Sequence, residues 1–197
     1  YDTAPCFSPD GKYVAWLSMA HNGYESDRNR LLVYDLATGK KEYVSEKLDT
    51  NVDAFCWNSD NKSIYFISVW HGCANIYQTN LRGEVHQVTE GQYDYGSLQM
   101  IGNTKKLLVT RHSMSHPDDT FVIKKKTEIT QITDENKHIF DQLAVGKVEP
   151  RWVKTTDNKD MLVWIILPPH FDPNKKYPTL LFCEGGPQSP VSQFWSY

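Results

Sequence analysis

The residues with the clearest chemical potential stand near the end of the 197-residue chain, at Glu184-Gly185-Gly186-Pro187. They follow the apolar run 179–183, which is strand-sized and of the kind buried on both sides of a sheet. Two glycines after such a strand let the backbone turn sharply and stay open. A backbone N–H at that break can face a carbonyl oxygen that turns negative during acyl transfer, so Gly185 and Gly186 are candidate oxyanion donors. The plainer reading of the motif alone is a glycine turn that closes a core strand. Glu184 fits the donor role poorly. A carboxylate aimed at the oxyanion would oppose it by about 4 kcal/mol at 4 Å in an effective dielectric near 20. Its side chain is therefore expected to point away and pair with a cation.

Other reactive side chains are scattered. Cys6, Cys56, Cys73 and Cys183 lack the spacing of a zinc site. An even cysteine count permits disulfides without requiring them. His112 and His116 are four apart, but Pro117 puts them in a strand-to-loop segment, so ligation from one helix face is not available. His71 and Cys73 flank Gly72 in an expected connecting loop. Isolated pairs of this kind rarely suffice for a metal, and the expectation is no metal and no cofactor. Net charge is −3, which gives no reason to expect a nucleic-acid partner. No apolar run approaches the ~18 residues of a membrane-spanning helix, and no membrane partner is expected.

The elements that must position these groups are announced by a repeat. Cys6-Phe7-Ser8-Pro9-Asp10-Gly11-Lys12 leads into the apolar run 13–18. Cys56-Trp57-Asn58-Ser59-Asp60-Asn61-Lys62 leads into 64–68, and a degenerate copy, Met100-Ile101-Gly102-Asn103-Thr104-Lys105, leads into 107–110. Pro-Asp-Gly and Ser-Asp-Asn supply the fixed φ and the tolerance of positive φ that a tight turn needs. The second half of each unit repeats as well: Leu32-Val33-Tyr34 then Tyr43-Val44-Ser45, Asn75-Ile76-Tyr77 then Gln87-Val88-Thr89, Thr120-Phe121-Val122 then Gln131-Ile132-Thr133. Four short strands per ~40–50 residues, without helical periodicity, describe a β-propeller blade. The repeat also places Lys124-Lys125-Lys126 at a hairpin turn, where a solvated loop is the expected reading. Cys6 and Cys56 occupy equivalent positions in neighbouring units; a bridge between them would need Cα atoms within about 7 Å.

After Thr133 the pattern changes. Asp134-Glu135-Asn136 reads as a helix cap before a short turn carrying Ile139, Phe140 and Leu143. Runs 150–155 and 161–167 read as a hairpin around Asp157-Asn158-Lys159, ended by Pro168-Pro169. The expected organisation is 1–136, the C-terminal blades of a propeller; 137–147, a linker; and 148–197, the start of a second domain.

The run from Ile129 to Pro187 resembles the propeller-to-hydrolase junction of the prolyl oligopeptidase family, and Val148 to Gln188 match its order closely: a turn hairpin with Asn158-Lys159, Lys176-Tyr177-Pro178 entering a strand, then Gly-Gly-Pro. The Phe-Ser-Pro-Asp-Gly-Lys element is also similar to repeats of those propellers. Within the family, Glu-Gly-Gly-Pro-Gln-Ser followed by Gln193-Phe194-Trp195-Ser196 is most similar to bacterial dipeptidyl peptidases. The resemblance implies a mainly β fold, about three four-stranded blades of a partial propeller followed by the first strands of an α/β-hydrolase domain. It implies a serine exopeptidase that forms an acyl-enzyme, acts on short peptides, needs no cofactor, and sits in the periplasm or is secreted, with the cytoplasm as alternative. An acylaminoacyl-peptidase or esterase on the same scaffold, and a non-catalytic binding propeller, are the rival readings. A free substrate ammonium calls for a carboxylate pair, and none stands out in these blades.

Two departures qualify the resemblance. Glu184 stands where relatives carry His or Tyr, so a tyrosine donor does not carry over. No Gly-x-Ser-x-Gly occurs in the chain and no histidine follows position 170, so the nucleophile and triad are expected outside it. The chain is accordingly expected to be an inactive fragment that needs the missing parts of its parent or self-associates.

Overall fold

The computed structural model describes residues 1–21, 23–24, 26–186 and 189–195. Among these residues it holds three four-stranded antiparallel sheets and one two-stranded hairpin. The first sheet comprises β1 (Asp2–Phe7), β2 (Tyr13–Ser18), β3 (Arg30–Asp35) and β4 (Lys41–Tyr43). The second comprises β5 (Ala54–Trp57), β6 (Ser63–Trp70), β7 (Cys73–Asn80) and β8 (Val85–Gln87). The third comprises β9 (Asp94–Met100), β10 (Leu107–Ser113), β11 (His116–Lys125) and β12 (Glu128–Gln131). Within each sheet the strands lie in sequence order, the meander of a propeller blade.

The repeated turns fold alike because their backbone bonds are alike. Ser8 N–H donates to the Tyr13 carbonyl, Asn58 to Ser63 and Ile101 to Lys106, each at 2.9 Å. Gly11 and Asn61 occupy the left-handed region at φ 69° and 58°, as the turn reading requires. The Asp10 carboxylate accepts from Lys12 N–H at 3.2 Å, and that of Asp60 from Lys62 N–H at 2.8 Å. The third copy lacks this aspartate but keeps the same backbone bonds, which explains why its sequence signal is weaker than its structure.

Two apolar layers join the blades. Leu31, Val33, Val44, Ile64 and Phe66 bury the face between the first and second sheets. Ile67, Ile76, Tyr95, Leu107, Val109 and Phe121 fill the space between the second and third. Strand β6 feeds both layers because alternate residues point to opposite faces, Ile64 and Phe66 one way and Ile67 the other. Polar stitches cross the layers too: Thr79 Oγ1 donates to the Val44 carbonyl at 2.8 Å, and Trp57 Nε1–H to that of Cys6 at 3.2 Å. The lysine run ends β11 and is tied down, Lys124 and Lys125 to Glu128 at 3.0 and 2.6 Å and Lys126 to Glu90. The cysteines are free thiols, with Cys56 pushed up to about 12 first by burial and then by Cys6.

Beyond the blades come one helical turn, α1 (Lys137–Phe140), and a hairpin of β13 (Lys147–Lys154) with β14 (Asp160–Leu167). The expected cap is not formed by a side chain: Asn136 makes no capping bond, and its carbonyl instead accepts from Phe140 N–H at 3.0 Å. The hairpin pairs without slippage from Lys147↔Leu167 to Lys154↔Asp160, with Asn158 at φ 64° in its turn.

The expected strand at 179–183 is a correction. Among the described residues this run belongs to no strand, and Leu180, Leu181 and Phe182 are 97%, 84% and 79% exposed. Apolar character favours a strand only when a neighbour takes up its N–H and C=O groups, and none of the described residues does so.

Candidate active site

The sequence-derived candidates Glu184, Gly185 and Gly186 lie in the irregular stretch after β14, exposed to solvent. Gly186 takes φ 145°, a conformation that favours glycine, and a Cβ on Gly185 would meet nothing within 4 Å. The loop is thus as open as a backbone donor for a carbonyl oxygen requires. Glu184 makes no ion pair among the described residues. Pro187 and Gln188, which complete the motif, and Ser196 lie outside the described residues.

Residues 189–195 return to the blades and form a seam with them. The turn between β6 and β7 is its anchor. Gly72, at φ 66°, packs so closely that an added Cβ would stand 2.9 Å from the Val191 carbonyl and 3.0 Å from the Trp164 ring. Trp164 Nε1–H donates to that same carbonyl at 3.0 Å. The His71 ring lies 4.6 Å from that of Trp70 and 5.0 Å from that of Trp152, so β13 is pinned to the same turn. Farther along, Trp195 meets Phe140 at 5.7 Å, and Phe140 meets His116 at 4.6 Å.

His116 opens onto a cleft of about 200 Å³ in the third blade, lined also by Tyr93, Arg111, His112, Asp119 and Asp134. Strand pairing sets Arg111 opposite Asp119. The Arg111 guanidinium is clamped between aromatic faces, 4.2 Å from Tyr93 and 3.8 Å from Phe121. Asp119 is buried and accepts from Thr133 Oγ1 at 2.8 Å and Gln131 Nε2 at 3.1 Å. Ligand atoms of His116, Asp119 and Asp134 lie within 4.8 Å of one another. The blades therefore do carry a carboxylate pair, which no sequence spacing disclosed: the two aspartates meet because β12 folds back beside β11. These two carboxylates share the small opening with the Arg111 guanidinium and two histidines.

A second acidic set stands at the start of β9. Asp94 is buried, accepts from Ala74 N–H at 2.8 Å and lies 3.8 Å from His112 Nε2. His112 Nδ1 in turn lies 2.9 Å from Asp118. The Asp53 carboxyl is pushed up to about 6, by desolvation first and by Asp94 second.

No protein-family model matches the chain. Over its whole length it is 48% identical to a protein named dipeptidyl-peptidase 5 from Porphyromonas gingivalis and 46% identical to one of the same name from Porphyromonas endodontalis. It spans 29% and 28% of those two proteins, under a third of their length. Among solved structures it is similar to an acylaminoacyl peptidase bound to Z-Gly-Gly-Phe-chloromethyl ketone. The TM-score is 0.70 at 21% identity, over 86% of this chain and 25% of that one. It is also similar to dipeptidyl peptidase 4 of Porphyromonas gingivalis, with TM-score 0.69 at 17% identity over 98% of this chain and 28% of that one. These structures share the fold of propeller-bearing peptidases. The chain aligns end to end with a segment of the dipeptidyl-peptidase 5 proteins.

Proposed function

We propose that this chain is the blade-and-junction segment of a serine exopeptidase that releases dipeptides from free peptide N-termini. The observation that carries the reading is the 48% identity, sustained over the entire chain, to a protein named dipeptidyl-peptidase 5. In this reading residues 1–136 are the last blades of a propeller, 137–147 a linker, and 148–197 the beginning of the hydrolase domain. A serine outside the chain attacks the scissile carbonyl, its proton passes through a base to the leaving amine, and the acyl-enzyme is hydrolysed. The N–H of Gly185 or Gly186 holds the oxyanion in both tetrahedral intermediates. Glu184 takes no part in the chemistry. The Asp119 and Asp134 carboxylates favour a substrate with a free ammonium over an acylated one.

The full-length protein should cleave dipeptidyl chromogenic substrates with a free N-terminus, leave N-acylated ones untouched, and react with a fluorophosphonate. Preferential cleavage of acylated substrates would favour the acylaminoacyl-peptidase reading, and no cleavage of either would favour the binding propeller. The isolated 197-residue chain should show neither activity nor labelling; stoichiometric labelling of it would contradict the assignment of the nucleophile to another segment.

A further inference from the structure

The cleft in the third blade contains a cation that the chain leaves without an anion. Arg111 lies between the rings of Tyr93 and Phe121, 4.2 and 3.8 Å from their centres, so its guanidinium plane is held. Strand pairing sets it opposite Asp119 on the same face of the sheet, where such neighbours stand roughly 5 Å apart at Cβ. The two nevertheless form no ion pair. Asp119 accepts from Thr133 and Gln131 instead, and the charged contacts around the cleft come from His112, to Asp94 and Asp118, and from His116, to Asp119. Arg111 itself has no ion pair among the described residues. A held guanidinium presents parallel N–H groups at the spacing of two carboxylate oxygens, and that is the partner missing here. On the other wall, the Asp119 carboxylate has acceptor sites beyond the two in use, and Asp134 stands beside it without an ion pair among the described residues. A simple anion would meet these carboxylates, and a metal ion would meet Arg111. A ligand that carries both charges satisfies both walls. The cleft, at about 200 Å³, is smaller than the roughly 300–1,000 Å³ of pockets that hold drug-sized ligands, so the two charges must belong to a small molecule.

We propose that this cleft binds a free α-amino acid as its zwitterion, the carboxylate on Arg111 and the ammonium on Asp119 and Asp134. The ammonium contact rests on the reading given above for these two carboxylates; the carboxylate contact does not. A bound amino acid occupies the place of a substrate N-terminus, so it acts as an inhibitor that no step of the cleavage reaction requires. L-Alanine, L-alaninamide and N-acetyl-L-alanine are titrated calorimetrically into the full-length protein. The expected result is saturable binding of alanine, with each analogue at least tenfold weaker because each lacks one of the two charges. Arg111→Gln in folded form should bind alanine at least tenfold more weakly and alaninamide as before. Absence of alanine binding, or equal alanine binding by folded Arg111→Gln, overturns the proposal. Alaninamide bound as tightly as alanine also overturns it, and leaves the ammonium reading of Asp119 and Asp134 standing. N-acetylalanine bound as tightly as alanine overturns it together with that reading. The analogue comparison is made in the unaltered protein, so it decides the matter even where the variant does not fold.

Discussion

Gly72→Ala is the most direct probe of the seam that holds the hairpin against the blades. Two costs arise at this position. Alanine in the left-handed region, at φ 66°, costs roughly 1–2 kcal/mol wherever it occurs. Its Cβ would also stand 2.9 Å from the Val191 carbonyl, a contact that real Cβ atoms do not tolerate. The carbonyl is backbone and the Trp164 ring on the other side is held by it, so the segment around Val191 must move. That movement breaks the 3.0 Å bond from Trp164 Nε1, worth about 1 kcal/mol net. The total is roughly 2–3 kcal/mol. Gly11→Ala is the control: φ is 69°, but nothing lies within 4 Å of an added Cβ, so it bears the conformational cost alone. Urea unfolding should show Gly72→Ala less stable than Gly11→Ala by about 1 kcal/mol. Trypsin should cut the variant at Lys154 and Lys159 sooner than the unaltered chain. Equal destabilisation by the two variants, with unchanged cleavage, would show that the turn does not anchor the hairpin.

The carboxyl of Asp53 holds its proton to about pH 6 in the folded protein, above the ordinary 3.8, so the folded state binds that proton more tightly than the unfolded chain. For this group stability is greatest below pH 4 and falls as pH rises to about 6, and Asp53→Asn should gain about 1 kcal/mol at pH 7.5, after discounting for solvent access, and nothing at pH 4; thermal melts at the two values decide it. Leu180, Leu181 and Phe182 form a contiguous exposed apolar run, so the isolated chain should self-associate, and Leu180→Lys with Phe182→Lys should shift light scattering toward monomer. In the full-length protein Glu184→Gln should keep most of kcat, whereas a loss of ~100-fold would give Glu184 a part in the chemistry.

The blades were legible in the sequence because each rests on local signals that do not depend on distant partners. Ser-Pro-Asp-Gly specifies a turn through its own φ values and its own aspartate, and the flanking alternation of apolar residues fixes strand and face together. The run 179–183 shows the limit of such signals. Its composition is that of a buried strand, but strand formation is a property of a pair, and apolar residues without a partner remain extended and exposed. Conversely, 150–155 and 161–167 were read correctly because the hairpin contains both of its strands and the turn that joins them.

The clefts were not legible for a related reason. Asp119 and Asp134 are separated along the chain by a full hairpin, and only the return of β12 along β11 brings them beside His116. Nothing in their spacing distinguishes them from solvated aspartates elsewhere in the loops. Gln193 is more instructive still. In sequence it is one polar residue among Ser192, Phe194 and Trp195, and a glutamine there reads as surface. It is buried nonetheless, two residues after Val191, whose carbonyl accepts from Trp164 Nε1–H and lies close against Gly72. Such a residue becomes visible only when backbone contacts between segments are known.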